Sequence, residues 1–406
     1  MAEKLRNMDR GLLIYFIIIA LTALGLGLSN DVMSNYFKDA YNVSAYQRGI
    51  IEFPRELPGV LVILVIAALS FLSDVRISMI AQLLSIIGMT VLGLFTPTFS
   101  VMLIFVFINS LGMHLFFPLQ DSIGMSLIKD DNIGKRMGQY KGVSTAFTMV
   151  AGIIVFIGFR MGFFSFTTKI KWLFISSSLV LLVVFILFIY FNHINNKTIK
   201  SYKKINFVFR KEYKYYYTLV VMYGVQKQIM IVYGPWVLIE LLSKKADTIA
   251  ILAIVGSFIG IFFIPAVGKW IDYFGVKKFL YIDALSFIGV YLIYGILSAG
   301  FYSGKLAVIG LPVIMAYILI IMDRMSNQFG MIRTIYLQSI AVDRADITPT
   351  LSLGISLDHI VSIICAVLGG IVWTAWGPQY IFFLASGLSL VNLFVATRVK
   401  DVEKIA

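Results

Sequence analysis

The chain has 406 residues, 59% hydrophobic and only 14% charged, with a formal net charge of +13 and a mean hydropathy of +0.90. A soluble globular domain carries about half apolar and a quarter charged residues, so this composition excludes one and makes the bilayer the solvent. With no soluble domain to gather the basic excess on one face, nucleic acid is excluded as a partner.

In a hydrocarbon core only helices or closed barrels satisfy their own backbone, and about 20 apolar residues are needed to cross it. The apolar runs predict an all-α polytopic membrane protein with twelve transmembrane helices, at 11–30, 46–72, 78–96, 100–127, 138–158, 172–191, 214–240, 247–268, 278–298, 306–338, 349–372 and 379–397. No small-residue cleavage site follows the first run, which therefore reads as an uncleaved span. Lys4, Arg6, Arg10, Lys135, Arg136, Lys200, Lys203, Lys204, Arg210, Lys269, Lys277, Lys278, Arg398 and Lys400 all fall on one side of this arrangement. The opposite side holds mainly Lys38, Arg48, Arg160, Lys169, Lys171, Lys244, Lys245 and Lys305. By the positive-inside rule both termini are cytoplasmic.

The rhythm of spans breaks once, at the basic polar stretch from Asn192 to Lys214. It suggests a cytoplasmic linker at 192–213 between an N-terminal six-helix bundle, 1–191, and a C-terminal one, 214–406. Two weak internal matches agree with halves of this kind. Asp74 lies between spans two and three as Asp272 lies between eight and nine, an offset of 198 residues, and KGVS at Lys141 is echoed by LGIS at Leu353, an offset of 212.

The eleven residues GKWIDYFGVKK, Gly268 to Lys278, are the most informative in the chain. Gly268, Asp272, Gly275 and the pair Lys277 and Lys278 suit a tight cytoplasmic turn between two membrane helices. With the twelve spans, the two halves and the basic central loop, this pattern resembles the major facilitator superfamily (MFS) of transporters over essentially the whole length. The first-half copy is degraded: Ser70 replaces the glycine, while Asp74 and Arg76 remain. The glycine and proline pattern of that family's antiporters is absent from span five, where Gly142, Gly152 and Gly158 stand without a Gly-Pro pair. The resemblance implies alternating access between two bundles, and a gating role for Asp74, Arg76, Gly268, Asp272, Gly275, Lys277 and Lys278. The alternative is that these residues only fix topology.

Substrate chemistry is sought among ionisable residues inside the bilayer, each costly unless it meets a partner or water. In span two, Glu52, Arg55 and Glu56 fall on one stripe, with Pro54 and Pro58 beside them. The two glutamates put like charges one turn apart, a repulsion that a proton would relieve. Counting back from Leu72 at 1.5 Å per residue puts Glu56 roughly 24 Å from the inner boundary. The stripe is therefore either a proton-coupling site or a solvated helix start in the outer interface. In span ten Asp323 and Arg324 approach the midplane, with Asn327 and Gln328 one turn further. Neighbours on a helix point about 100° apart, so Asp323 and Arg324 each require a partner on another helix.

Span eleven offers Asp358 and His359 as a proton relay, or as structural partners of Arg333 or Lys141. Span four offers Asn109, His114, Gln120 and Asp121, the last aligned with Arg333 under the 212 offset and a candidate to pair with it. Span one ends at Asn30 and Asp31, an outer helix terminus. Span seven brings Gln226, Lys227 and Gln228, then Tyr233, Gly234, Pro235 and Trp236, where a proline beside a glycine bends a helix and aromatics can line a cavity. Lys227 binds an anion or pairs with a carboxylate.

Cys365 is the one cysteine, and His114, His193 and His359 lie on separate segments without metal-ligand spacing. No Walker-type loop is present. An enzyme and a metal site are not expected, and the energy source is an ion gradient, with H+ preferred, and no cofactor. Buried basic groups at Arg55, Lys227, Arg324 and Arg333 favour a small anionic or zwitterionic organic substrate. Substrate-binding candidates are Arg55, Asn109, His114, Gln226, Lys227, Tyr233, Trp236, Arg324, Asn327 and Gln328. Proton-coupling candidates are Glu52, Glu56, Asp323, Asp358 and His359. A proton-coupled exporter of lipophilic cations and a lipid flippase are the alternatives. The expected setting is the cytoplasmic membrane of a bacterium, with the chain a monomer.

Overall fold

The computed structural model describes residues 10–128, 133–194 and 210–399, without the side chains of residues 133–135, Asp272, Ala345 and Thr348. Most of the predicted linker at 192–213 lies outside the described residues. Those described form fourteen α-helices and two 3-10 turns, with no strand among them. In the first half these are α1 (Arg10–Asn30), α2 (Met33–Tyr41), α3 (Ala45–Ala68), α4 (Asp74–Leu94), α5 (Phe99–Ser126), α6 (Ile133–Arg160) and α7 (Trp172–Ile194). In the second they are α8 (Lys214–Glu240), α9 (Ala246–Phe274), α10 (Val276–Tyr302), α11 (Leu311–Gln328), α12 (Met331–Ile340), α13 (Ile347–Trp376) and α14 (Pro378–Arg398). Taking α1 with α2 and α11 with α12 gives the twelve spans that the apolar runs predict. This is a multi-pass membrane protein.

Among the described residues, nine helical segments are long and apolar enough to cross a membrane by composition. Three long helices fall short: α3, α8 and α11. Each of the three carries charged or amide side chains, at Arg48–Glu56 in the first half of α3, Gln226–Gln228 midway along α8 and Asp323–Gln328 at the end of α11. Helix α7 shows the opposite design. Its exposed Leu179, Leu182, Val183, Ile186, Ile189 and Tyr190 recur at three- and four-residue spacing, and Leu181, Val184, Phe188 and Phe191 are buried behind them. An outward stripe this apolar is stable only against lipid.

Contacts divide the chain into two compact units. One comprises Met1–Tyr41, Leu57–Lys204 and Ala246–Ile254; the other comprises Asn42–Glu56, Ile205–Lys245 and Val255–Ala406. The first three turns of α3 thus pack with the second unit. Within the first unit α1 packs on α6 and α7, and α4 packs on α5 and α7. The second unit repeats the scheme, α8 packing on α13 and α14, and α10 on α11 and α14. This repetition is the structural form of the internal repeat that the sequence hints at. Each unit has its own apolar core, built on Tyr15, Ile19, Phe116, Tyr140 and Phe188 in one and on Tyr213, Leu219, Phe279, Phe329, Ile332 and Leu337 in the other.

Three local features depart from the predicted boundaries. A short helix, α2, follows α1 where no element is predicted; nine residues with Ser34, Asn35, Lys38 and Asp39 are too few and too polar to read as a span. The turn predicted at 268–278 shrinks to a single residue. Helix α9 runs through Gly268 and Asp272 to Phe274, Gly275 adopts φ 83°, and α10 begins at Val276. Only glycine adopts that backbone without strain, so the helix needs no earlier stop. The predicted span 306–338 is not continuous either. At Phe329 and Gly330 the amides turn to i−3 partners, Phe329 N to Ser326 O at 3.0 Å, Gly330 N to Asn327 O at 3.1 Å and Arg333 N to Gly330 O at 3.2 Å. The Asn327 amide meanwhile donates to the Asp323 carbonyl at 3.0 Å. A side chain that captures an i−4 carbonyl, together with 3-10 tightening, interrupts a helix.

Candidate functional site

The site begins at the start of α3. The Gln47 backbone amide donates to Ser44 Oγ at 3.3 Å, and the Ser44 amide donates to Gln47 Oε1 at 2.9 Å. This reciprocal cap fixes where the helix starts. It sets Arg48, Glu52, Arg55 and Glu56 at helical spacing on one face.

That face is not solvated. Glu52 is fully buried and Arg48 is 1% exposed, against 23% for the Arg55 side chain. Arg48 Nη1 donates to Glu52 Oε1, Arg55 Nη1 reaches the same oxygen at 2.7 Å, and Gln228 Nε2 of α8 donates to Oε2 at 2.9 Å. One carboxylate therefore neutralises part of two guanidiniums, a geometry that a dry site tolerates only with every lone pair used. The next turn places Glu56 Oε2 2.7 Å from His359 Nδ1 of α13. The two glutamates of the stripe thus each meet a base of their own. Close backbone approach makes this possible. A Cβ at Gly49 would stand 2.7 Å from Tyr233 Oη, and one at Gly370 2.9 Å from both Ala45 O and Tyr46 Cα.

Helix α8 supplies the next layer. Lys227 forms an ion pair with Asp358 of α13, both partly exposed, so Asp358 takes neither Arg333 nor Lys141. Gly224 lets α13 approach, since a Cβ there would lie 2.9 Å from Asp358 Oδ1. Gln226 is buried and donates to Ser389 Oγ at 2.6 Å, while its own oxygen accepts from Asn392 at 3.2 Å. Tyr233 spends its hydroxyl on the Ala366 carbonyl, and its ring and that of Trp236 are fully buried. Both aromatics are core side chains in this state.

Asp323 and Arg324 diverge as helix geometry requires. Asp323 is buried, with Tyr291 Oη of α10 3.0 Å from Oδ1 and Asn327 Nδ2 2.9 Å from Oδ2. Among the described residues no cation stands within ion-pair distance of Asp323. Tyr291 Oη also lies 2.7 Å from Gln226 O, so one phenolic hydrogen faces two acceptors. Arg324 turns instead toward α9, where a Cβ at Gly256 would meet its Cδ at 2.9 Å, and Gln328 donates back to Arg324 O at 3.2 Å. Asp323 with Asn327 and Arg324 with Gln328 thus serve different faces of α11.

Arg333 pairs with Asp283 of α10 at 3.0 Å and stacks on Tyr223, 3.9 Å from Cζ to the ring centroid. Its partner is therefore on its own half rather than the aligned Asp121. In the first unit Asn109 packs where α5 crosses α4 closely, a Cβ at Gly88 falling 2.6 Å from Asn109 Cβ. The His114 ring nitrogen Nδ1 lies 2.9 Å from Ser110 O. Asp74 opens α4 and accepts from Ser122 Oγ at 2.6 Å; Ser73 caps the same helix, accepting from the Arg76 amide at 3.4 Å. Lys277 and Lys278 occupy the first turn of α10, the end where a helix dipole favours anions.

The sequence reading passed over Arg48, Tyr223, Asp283 and Tyr291. Arg48 stands one turn before Glu52, and Asp283 is an acid inside an apolar run; both carried the signal that singled out their neighbours. The tyrosines carried none, because aromatics are common throughout such helices.

A family model, described as Major Facilitator Superfamily, matches residues 15–347. The chain belongs to the Major Facilitator Superfamily. No curated protein matches it as a relative. Among solved structures, the nucleoside transporter NupG superposes with a TM-score of 0.79 at 13% identity, over 96% of this chain and 99% of that one. A POT family transporter in complex with a thioalcohol-conjugated peptide gives 0.77 at 10% identity, over 96% of both chains. A D-xylose-proton symporter gives 0.70 at 14% identity, over 96% of this chain and 98% of that one. At such identities the likeness is one of fold, and the MFS transporter fold is that of the whole chain rather than of a part. The family and these neighbours are transporters, not enzymes.

Proposed function

We propose that this MFS protein carries a small organic anion or zwitterion across the bacterial cytoplasmic membrane by alternating access, coupled to protons. It acts as a monomer with both termini in the cytoplasm, needs no cofactor and binds no nucleic acid. The observation that carries the proposal is the charge balance of one largely buried cluster in the second unit. Among the side chains of the second unit, Arg48, Arg55 and Lys227 face Glu52, Glu56 and Asp358, with His359 beside Glu56. With a neutral imidazole these charges cancel; with imidazolium one positive charge is in excess. Because uncompensated charge is costly in a membrane interior, a proton and an anionic group are best accommodated together. That favours co-transport of the two. The basic members recognise carboxylate or phosphate by charge-assisted hydrogen bonds.

Asp323 and the turns at Asp74 to Arg76 and Gly268 to Lys278 take supporting roles. Asp323 is a second proton-exchanging group, and the two turns act in the conformational cycle. Asp323 also favours the alternative, an exporter of lipophilic cations, because a buried acid without an ion-pair partner would suit a cation.

The test is flux in proteoliposomes with an imposed inward proton gradient. Labelled carboxylates, phosphates and amino acids are expected to accumulate, and Lys227→Gln to abolish that accumulation. Gradient-driven movement of lipophilic cations alone, lost in Asp323→Asn and kept in Lys227→Gln, would replace this reading with the exporter.

A further inference from the structure

Two ion pairs of the second unit, one buried and one partly exposed, share one aromatic ring. Arg333 lies over Tyr223 at 3.9 Å, and Lys227 Nζ stands 5.9 Å from the same ring centroid. Both cations have a carboxylate, but the two pairs are not equally complete. The Arg333 guanidinium has five N–H donors. Its Nη2 donates to Asp283 Oδ2 at 3.0 Å, while Nε and Nη1 are sealed from solvent with no partner, and Asp283 Oδ1 is equally bare. Arg333 is 4% exposed. A buried donor left without a partner is costly, and more so on a charged group. A fully solvated or fully paired arginine would avoid that cost, so this one keeps hydrogen-bonding capacity in reserve.

Gly330 stands beside Nη1. A Cβ at Gly330 would stand 3.4 Å from Nη1, 3.2 Å from Tyr223 Oη and 3.0 Å from Asn327 O, so this corner is closed tightly around a glycine, with little room for even a methyl. Gly330 is also where α11 breaks from α12, so the wall beside the guanidinium is the weakest point of its own helix pair.

We infer that Arg333 is a second anion station, inward of Lys227 along α8 and α12, which takes a carboxylate or phosphate oxygen of the transported solute on its Nη1 edge. Tyr223 is the shared platform: the anion moves from an ammonium on one part of the ring to a guanidinium stacked on it. Asp283 keeps Arg333 neutralised while the station is empty, and its single contact leaves Nη1 without a partner, to be reached when the wall at Gly330 moves aside. The inference rests on the anionic-solute reading and adds the place and the residue at which the charge is received after Lys227.

The experiment is thermal stabilisation of the full purified chain by succinate, glutamate and inorganic phosphate, each tested separately. Wild type is compared with the double variant Arg333→Gln, Asp283→Asn, which removes both charges and leaves no orphan ion. The inference expects at least one probe to stabilise wild type and its affinity to fall tenfold or more in the double variant. A loss confined to succinate and glutamate assigns the station to carboxylates, and one confined to phosphate assigns it to phosphoryl groups. Affinity that falls less than tenfold overturns the station and leaves the anionic reading standing, with Arg333 reduced to neutralising Asp283. If no probe stabilises wild type, the anionic reading falls and the station with it. Should the double variant fail to fold, Arg333→Lys, which keeps Asp283 neutralised but loses the planar fork, is read by the same tenfold criterion.

Discussion

Glu52→Gln tests whether the charged start of α3 is dry. In the structure Glu52 is fully buried and accepts from Arg48, from Arg55 at 2.7 Å and from Gln228 at 2.9 Å. Glutamine has the same size but a single acceptor oxygen, and its own NH2 would face either a guanidinium or the Gln228 amide, donor against donor. Removing one partner of a buried ion pair costs about 3–5 kcal/mol, because the remaining charge is left uncompensated. Arg55 is 23% exposed and can turn partly to water, which places the expected loss at the lower end, about 3 kcal/mol. At roughly 2 °C per kcal/mol for a large chain, the melting midpoint in detergent should fall by several degrees. Adding Arg48→Met to Glu52→Gln removes the most deeply buried orphan and should restore part of the loss. If Glu52→Gln melts within a degree of wild type, the stripe is solvated, as in the outer-interface alternative, and the buried-cluster argument fails.

Gly49→Ala should lower the midpoint by an overpacking cost of about 1–3 kcal/mol, since its Cβ would sit 2.7 Å from Tyr233 Oη. Gly138→Ala, with nothing within 4 Å of the new methyl, should hold the midpoint or raise it slightly, by at most about 1 kcal/mol; a loss equal to that at Gly49 would refute the close approach. Outside the membrane, the hydrogen bond from Arg210 at 2.5 Å, then that from Tyr213, hold Asp346 below the usual carboxylate range. A lowered folded value contributes stability that is present above the unfolded value of about 3.9 and is lost as pH falls through the folded one. Wild type should therefore lose more stability than Asp346→Asn when melted at successively lower pH from about 5, and parallel curves would remove the pairing. Asp323→Asn should keep the wild-type midpoint yet lose proton-driven uptake in vesicles. Normal uptake in that variant would take Asp323 out of the coupling chemistry.

The spans were legible because lipid imposes a simple rule on residues such as Leu179, Leu182, Val183 and Ile186, whose outward stripe has no use in water. The turn between α9 and α10 was legible in kind but not in length. Gly275 signals a left-handed residue, while Gly268 and Asp272 looked like loop only because their polarity interrupts an apolar run. The break at Phe329 was not legible, since Gly330 keeps ordinary helical angles and the interruption comes from the Asn327 side chain reaching the Asp323 carbonyl. Pair identities were also hidden. Spacing put Glu52, Arg55 and Glu56 on one face, but which base each acid meets depends on α8 and α13, some hundreds of residues away in sequence. A rough offset between halves was too loose to choose Asp283 over Asp121 for Arg333.

The same pairs also separate residues that hold the second unit together from residues that can do work within it. Glu52 accepts three hydrogen bonds in full burial, and any motion that broke them would strand two guanidiniums, so it is suited to fixing α3 against α8 rather than to exchanging protons. Glu56 and His359, each partly exposed and joined through one contact, can separate at far lower cost. Lys227 and Asp358 are alike in this respect, with Lys227 20% and Asp358 15% exposed. A group that must change its partner in every cycle cannot be worth several kcal/mol in each, or the cycle stalls. Within the cluster around α3, the partly exposed pairs Lys227–Asp358 and Glu56–His359 are thus the contacts best suited to exchange under the proposed function, and Arg48 with Glu52 is the frame that positions them.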